Sequence, residues 1–271
     1  MNVFISTKSG ADDTLLRAVG QLATTNATLS KMTPHFGIFA MPGLGAGGDQ
    51  VVAGVQSVCE TDYNKLCQWF GIQVPHFNVT LAQLSKFVDG TGGAYHASCA
   101  STDLYCDVRL NPAVDPVVSA ALMVAEAVEA FEAKQGAGWA CGASNGEGLS
   151  RVLSSECHPG VLDALGYPTA AAWLDDLRSD WVNVTNQTDR SPYSNGCAVL
   201  FLNWLNRQLK VGWDKICQAG GSTLGETYQR VGGPLLTGQK DAFVAFRALL
   251  DLHFPVGTAC GLTTDNPFPL P

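Results

Sequence analysis

The chain has 271 residues, of which 46% are hydrophobic and only 15% charged, a balance typical of a compact globular protein and not of a disordered one. The formal net charge is −8 and the sixteen lysines and arginines are scattered, so nucleic acid and anionic membranes are poor candidate partners. No apolar run approaches the length of a transmembrane helix.

The nine cysteines form no CxxC pair and no zinc-type Cys/His spacing, which argues against a structural zinc site. Their wide distribution suits disulfide bonds in an oxidising compartment. The N-terminus has neither the basic nor the long apolar region of a signal peptide, so we expect a mature, secreted protein. Four glycosylation sequons agree with secretion: Asn26, Asn78, Asn183 and Asn186.

The first part of the chain is predicted to be rich in strands. Strands are expected at residues 2–6, 76–81, 93–97 and 104–110, and helices at 12–23 and 50–70. The second helix should end at Gly71, because glycine and the following Pro75 are normal stop signals. The glycine-rich segment 42–48 is predicted to be a flexible loop.

The second part of the chain is predicted to be helical. Asp115 and Pro116 suit the N-cap and first position of a long helix that ends near Gln135. Further helices are expected at residues 147–156, 170–178, 196–210, 212–220, 222–231 and 240–253. We therefore expect one α+β domain over residues 1–271, strand-rich to about residue 113 and helical from about 114.

The long helix carries two glutamates near its apolar stripe. Glu129 lies directly beside the stripe. Glu126 lies on the same side of the stripe but further round the helix. A carboxylate among aliphatic side chains is costly to bury unless it is paired, protonated or metal-bound. The spacing of the apolar residues alone does not decide whether the two carboxylates are buried beside the stripe or face solvent.

The segment from Ala125 to Glu129 reads AEAVE, where zinc peptidases have His-Glu-x-x-His on a helix. The segment 144–150, SNGEGLS, resembles the EGxA/S stretch with which gluzincin zinc peptidases supply a glutamate ligand, and Glu147 follows Glu129 by eighteen residues. The resemblance implies a zincin-like fold in which Glu126 is the general base and Glu129 and Glu147 occupy ligand positions. The helix with Glu126 should then pack against the one that starts near Glu147, with both side chains in one cleft.

Other segments resemble gluzincins in their order. Residues 66–81 resemble the entry helix and strand, residues 92–110 resemble the edge strands beside the substrate cleft, and residues 193–254 resemble the helical lobe. The resemblance implies that Tyr95 and His96 contact substrate and that Tyr193 is an oxyanion donor. His96 is also a candidate general base, or a substitute ligand with Glu129 and Glu147, although a strand histidine is more often a half-exposed polar residue.

Ala125 departs from the family pattern at the first histidine position. Alanine has no donor atom, and two carboxylates hold zinc less well than imidazole or thiolate does. We therefore expect no conventional zinc catalysis and no resident cofactor, with zinc disfavoured but not excluded.

Three functions remain open. The first is a hydrolase in which clustered carboxylates act on a polysaccharide or a peptide. The second is a pseudoenzyme that binds a peptide or glycan in the retained cleft. The third is a metallopeptidase with a rearranged metal site.

Two disulfide bonds are predicted. Cys99 and Cys106 bracket a short connection between two strands. Cys141 and Cys157 would tie the loop before Glu147 to the helix that follows it.

Overall fold

The computed structural model describes residues 26–83, 94–108, 117–164, 169–188 and 190–271. The predicted strand at 2–6, the predicted helix at 12–23 and the helix start at Asp115 and Pro116 lie outside these residues. Within them the chain has the α+β class that was predicted: the strands lie between Thr28 and Asp107 together with the helix Gly45–Phe70, and helices follow from Val117 onward.

A five-stranded sheet forms the first layer. Its strands are β1 (Thr28–Met32), β2 (Phe36–Ala40), β3 (Phe77–Ala82), β4 (Ala94–His96) and β5 (Asp103–Asp107), in the spatial order β1-β2-β3-β5-β4. Strands β2, β3 and β5 run parallel, whereas β1 and β4 pair antiparallel at the two edges. Strand β3 is buried along almost its whole length, as expected for a parallel strand in the middle of a sheet.

Helix α1 (Gly45–Phe70) connects the parallel strands β2 and β3. It ends as predicted at Gly71, which has a φ of 69° and whose N–H donates to the Cys67 carbonyl. This left-handed conformation carries no penalty for glycine. The helix begins at Gly45, so the prediction of a loop over residues 42–48 was wrong for its second half.

Helix α2 (Val117–Gln135) lies at the centre of the molecule. It packs against α1, the strands β4 and β5, and the next helix, α3 (Ser144–Cys157). Because it is enclosed on nearly every side, it buries residues all round its axis instead of on one stripe. The ring of Phe131 packs against the rings of Tyr63, Phe70 and Phe77, which joins α2 to α1 and β3.

The remaining helices pack around α1, α2 and α3. Their bounds are α4 (Val161–Ala164), α5 (Ala170–Leu174), α6 (Pro192–Asn203), α7 (Trp213–Gln218), α8 (Leu224–Arg230), α9 (Gly233–Thr237) and α10 (Ala242–His253), with a π-helical segment (Trp204–Gln208) after α6. The aromatic rings of Trp173, Phe201, Trp204 and Phe246 pack together among these helices. None of the helices in the described part of the chain is both long and apolar enough to cross a membrane.

Candidate functional site

A histidine and two glutamates meet where α2 crosses the edge strand β4. The Nε2 atom of His96 lies 2.9 Å from Oε2 of Glu129 and 3.7 Å from Oε2 of Glu126. All three side chains are buried, with exposed fractions of 0% for His96, 4% for Glu126 and 1% for Glu129. We call these three residues the His96 cluster.

Local structure explains how the cluster forms. Glu126 and Glu129 are three residues apart on α2, so their side chains project from the same face of the helix. His96 is the last residue of β4, and the pairing of β4 with β5 fixes its position opposite Leu104. Cys106 lies near Glu126, and burial raises the pKa of its thiol well above the ordinary value, with Glu126 and Asp107 adding to the effect. A neutral thiol thus borders the cluster on the β5 side.

A disulfide bond lies beside the cluster and joins Cys99 to Cys141, with a Cα–Cα distance of 5.7 Å. Both predicted pairings were therefore wrong. Cys106 is a buried free thiol within β5, whereas Cys99 lies in the turn after β4. Cys141 lies in the turn before α3 and Cys157 is the last residue of that helix, whose 14 residues span about 21 Å, far more than a disulfide can bridge.

The disulfide sulfur is close enough to the cluster to be part of its chemistry. The Sγ atom of Cys141 lies 3.7 Å from Nε2 of His96. Together with a carboxylate oxygen of Glu129, these ligand-type atoms lie within 4.8 Å of one another. A sulfur in a disulfide is not a thiolate, however, and the thiolate is the form that binds metals.

Glu147 is held by a different partner. Its Oε1 atom accepts a hydrogen bond from Nε of Arg151 at 2.7 Å, one turn further along α3, and its side chain is buried. As predicted, α2 and α3 pack together, with the Ser154 hydroxyl donating to the Ala121 carbonyl. The conventional ligand set at positions 125, 129 and 147 does not fit zinc here, because Ala125 has no donor and Glu147 is engaged by a cation.

The glycines on either side of Glu147 are required by packing. A Cβ atom on Gly146 would lie 2.5 Å from the Ala140 carbonyl oxygen and 2.7 Å from a carboxylate oxygen of Glu132. A Cβ on Gly148 would lie 2.5 Å from that of Ala198 on α6. The Gly-Glu-Gly spacing therefore lets α3 approach both the α2–α3 turn and α6.

Two other predicted site residues lie elsewhere. Tyr95 precedes His96 on β4, so its side chain is directed to the opposite face of the sheet, where its ring packs near that of Tyr105. Tyr193 lies in the first turn of α6 with 46% of its surface exposed.

Arg151 links Glu147 to a cavity of about 270 Å³ between α3, α6 and the C-terminal segment. Its walls include Arg151, Arg207 and Asp265. Burial raises the pKa of Asp265 to about 6, although its carboxylate accepts hydrogen bonds from the backbone N–H groups of Thr169 and Ala170.

The sequence interpretation missed three features of this region. The ion pair of Glu147 with Arg151 has the i,i+4 spacing of helical salt bridges, so the sequence did contain that signal. The Cys99–Cys141 bond and the position of Asp265 depend on contacts between distant segments, for which a single sequence gives no signal.

No protein-family model matches this sequence, and no match to it is found among curated proteins.

Proposed function

We propose that this protein is a secreted hydrolase with a zincin-like scaffold, in which the His96 cluster carries out acid–base chemistry on a glycosidic or peptide bond. The observation that carries the proposal is the approach of His96 Nε2 to the carboxylates of both Glu129 and Glu126 in a buried setting. Hydrolysis of either bond needs a group that gives a proton to the leaving atom and a group that takes one from water.

The roles follow from the distances. The 2.9 Å contact is short enough for a hydrogen bond from the imidazole to Glu129, which orients the ring. Glu126, at 3.7 Å, is outside normal hydrogen-bond range of the same nitrogen. We therefore assign proton transfer to Glu126, and we assign to Glu129 the positioning of His96.

The order of the elements supports the scaffold. An antiparallel edge strand lies next to the helix that carries Glu126 and Glu129, and the following helix carries Glu147 in its first turn. This is the order that the gluzincin resemblance implies. Ala125 and the Arg151–Glu147 ion pair are the departures from it, and they are the reason why the proposal assigns no step to zinc.

A binding protein is the second candidate, and the cavity beside Arg151 favours it. Its volume of about 270 Å³ is near the lower limit for small-molecule pockets, and two arginines line it. Both arginines already form ion pairs, with Glu147 and Glu156, and Asp163 and Asp265 also line the cavity, so the hydroxyl groups of a neutral glycan would suit these mixed walls.

Hydrolysis assays on a panel of polysaccharides and peptides, with and without a metal chelator, test the proposal. We expect turnover of one of the two bond classes, at the same rate in chelator. If a substrate is turned over only without chelator, the metallopeptidase alternative is correct instead. If ligands bind but none is cleaved, and Arg207→Met weakens their binding, the protein is the binding protein of the second candidate.

A further inference from the structure

We propose that the Cys99–Cys141 disulfide masks a metal-binding site, which reduction opens to a divalent cation such as Zn²⁺. The ligands would be the imidazole of His96, the carboxylate of Glu129 and the thiolate of Cys141. They come from three separate parts of the fold, namely β4, α2 and the turn between α2 and α3. The proposal concerns binding alone and does not depend on the proposed hydrolysis.

The distances suit a tetrahedral ion. Zinc bonds of about 2.0–2.3 Å place a nitrogen and a sulfur ligand about 3.6 Å apart, and a nitrogen and an oxygen about 3.4 Å apart. The observed separations are 3.7 Å from His96 Nε2 to Cys141 Sγ and 2.9 Å from His96 Nε2 to Glu129 Oε2. A cation would thus require the hydrogen-bonded pair to open by about half an ångström. Glu126 or a water molecule would complete the four ligands.

The chemistry of the donors suits the same kind of ion. Imidazole, thiolate and carboxylate are all zinc ligands, and the thiolate and imidazole disfavour magnesium and calcium. The buried positions of His96 and Glu129 strengthen the attraction of the carboxylate for a cation, because little water competes there.

A dithiol reductant opens the site by thiol–disulfide exchange. A thiolate of the reductant bonds to Sγ of Cys99, the S–S bond breaks, and its electron pair leaves on Sγ of Cys141. The second thiol of the reductant then releases Cys99 as a thiol and leaves the reductant as a disulfide. Both cysteines are half-buried, so a reductant can reach the disulfide bond from solvent. The side chain of His96, by contrast, is fully buried. The cation then binds the Cys141 thiolate.

Two matched variants test the proposal without any reductant. Cys99→Ser and Cys141→Ser both remove the disulfide, but only Cys99→Ser keeps the ligand sulfur. We expect Cys99→Ser to take up about one zinc per chain after dialysis against ZnCl₂, and its cobalt form to show a thiolate-to-metal charge-transfer band. Cys141→Ser should bind zinc more weakly by at least about 100-fold, since even loss of an outer partner of a ligand weakens zinc binding 10- to 100-fold.

The ligand role of His96 is tested in the same background. Adding His96→Ala to Cys99→Ser should remove the bound zinc and the charge-transfer band. Wild-type protein reduced with a phosphine that does not bind metals provides a second measurement, which does not depend on the variants folding. It should gain a cobalt band that the oxidised protein lacks. Equal zinc uptake by Cys99→Ser and Cys141→Ser would overturn the proposal. So would the absence of the cobalt band from both Cys99→Ser and the reduced wild-type protein.

Discussion

The Nε2 atom of His96 and the Oε2 atom of Glu129 lie 2.9 Å apart, although 33 positions of sequence separate the two residues. The contact joins the edge strand β4 to the central helix α2, and both side chains are almost fully shielded from water. A buried pair of this kind is costly to disrupt on one side only, because the remaining group then lacks its partner.

The first prediction concerns the stability that depends on this pair. Glu129→Ala should lower the free energy of unfolding by about 3 kcal/mol, because it leaves the buried imidazole without its carboxylate. The control is Glu60→Ala, which removes a carboxylate 2.8 Å from His35 in a pair that is about one-third exposed, together with the hydrogen bonds it accepts from the Thr33 hydroxyl and the His35 N–H. That change should cost about 1 kcal/mol. Urea unfolding of both variants measures the difference, and equal losses would contradict a special role for the buried pair.

The second prediction concerns the disulfide. Peptide mapping without reduction should recover Cys99 linked to Cys141, and the reduced protein should be less stable by about 4 kcal/mol on the chain-entropy view, given the separation of 42 residues. Cys260→Ser, which changes a half-buried free thiol, should alter stability by less than about 0.5 kcal/mol. Recovery of a Cys99–Cys106 or Cys141–Cys157 peptide would refute the observed pairing.

The third prediction concerns pH. Burial raises the pKa of Asp265 from 3.8 to about 6. Between these values the folded protein holds a proton that the unfolded chain has lost, so the free energy of unfolding should fall as pH rises from about 4 to 6 and then level off. Asp265→Asn keeps an oxygen that can accept from Thr169 and Ala170 but cannot ionise. Thermal melts at several pH values should show that this variant lacks the fall, which we expect to be roughly 2–3 kcal/mol.

The fourth prediction tests the proposed scaffold. Ala125→His together with Glu129→His restores both histidines of the zinc-peptidase helix motif, and Glu147 becomes the third ligand by exchanging its ion pair with Arg151 for the metal. If the scaffold is zincin-like, the double variant should bind about one zinc per chain with four-coordinate geometry. The single variant Ala125→His serves as the control and should bind much less. A folded double variant without zinc, as judged by metal analysis and melting temperature, would count against the scaffold.

The long helices could be predicted from the sequence because local signals define them. The helix predicted at residues 50–70 ends at Gly71 in the structure, as expected. The helix predicted at residues 147–156 begins three residues earlier in the structure, at Ser144. By contrast, β1 and β2 were missed. All residues of β1 are exposed, and the three buried residues of β2 are consecutive, so neither strand shows the alternation that indicates a half-buried strand.

The candidate site could be predicted only in part. The residue types at His96, Glu126 and Glu129 indicated chemistry, and the structure brings these three together. Their proximity and the sulfur of Cys141 beside them depend on how β4, α2 and the turn after α2 pack, whereas the ion pair of Glu147 with Arg151 is local to α3. Such packing is set by long-range contacts, which periodicity in one sequence does not encode.

The most direct test of the proposed chemistry is the hydrolysis rate of Glu126→Gln on whichever substrate the wild-type protein cleaves. Glutamine keeps the shape of the side chain but cannot transfer the proton, a step worth about 10² to 10⁴ in rate. The matched control is Glu60→Gln, which makes the same substitution on α1, where Glu60 pairs with His35. We predict a rate loss of at least about 100-fold for Glu126→Gln at an unchanged melting temperature, with Glu60→Gln close to wild type. A Glu126→Gln variant that keeps its wild-type rate would contradict the account.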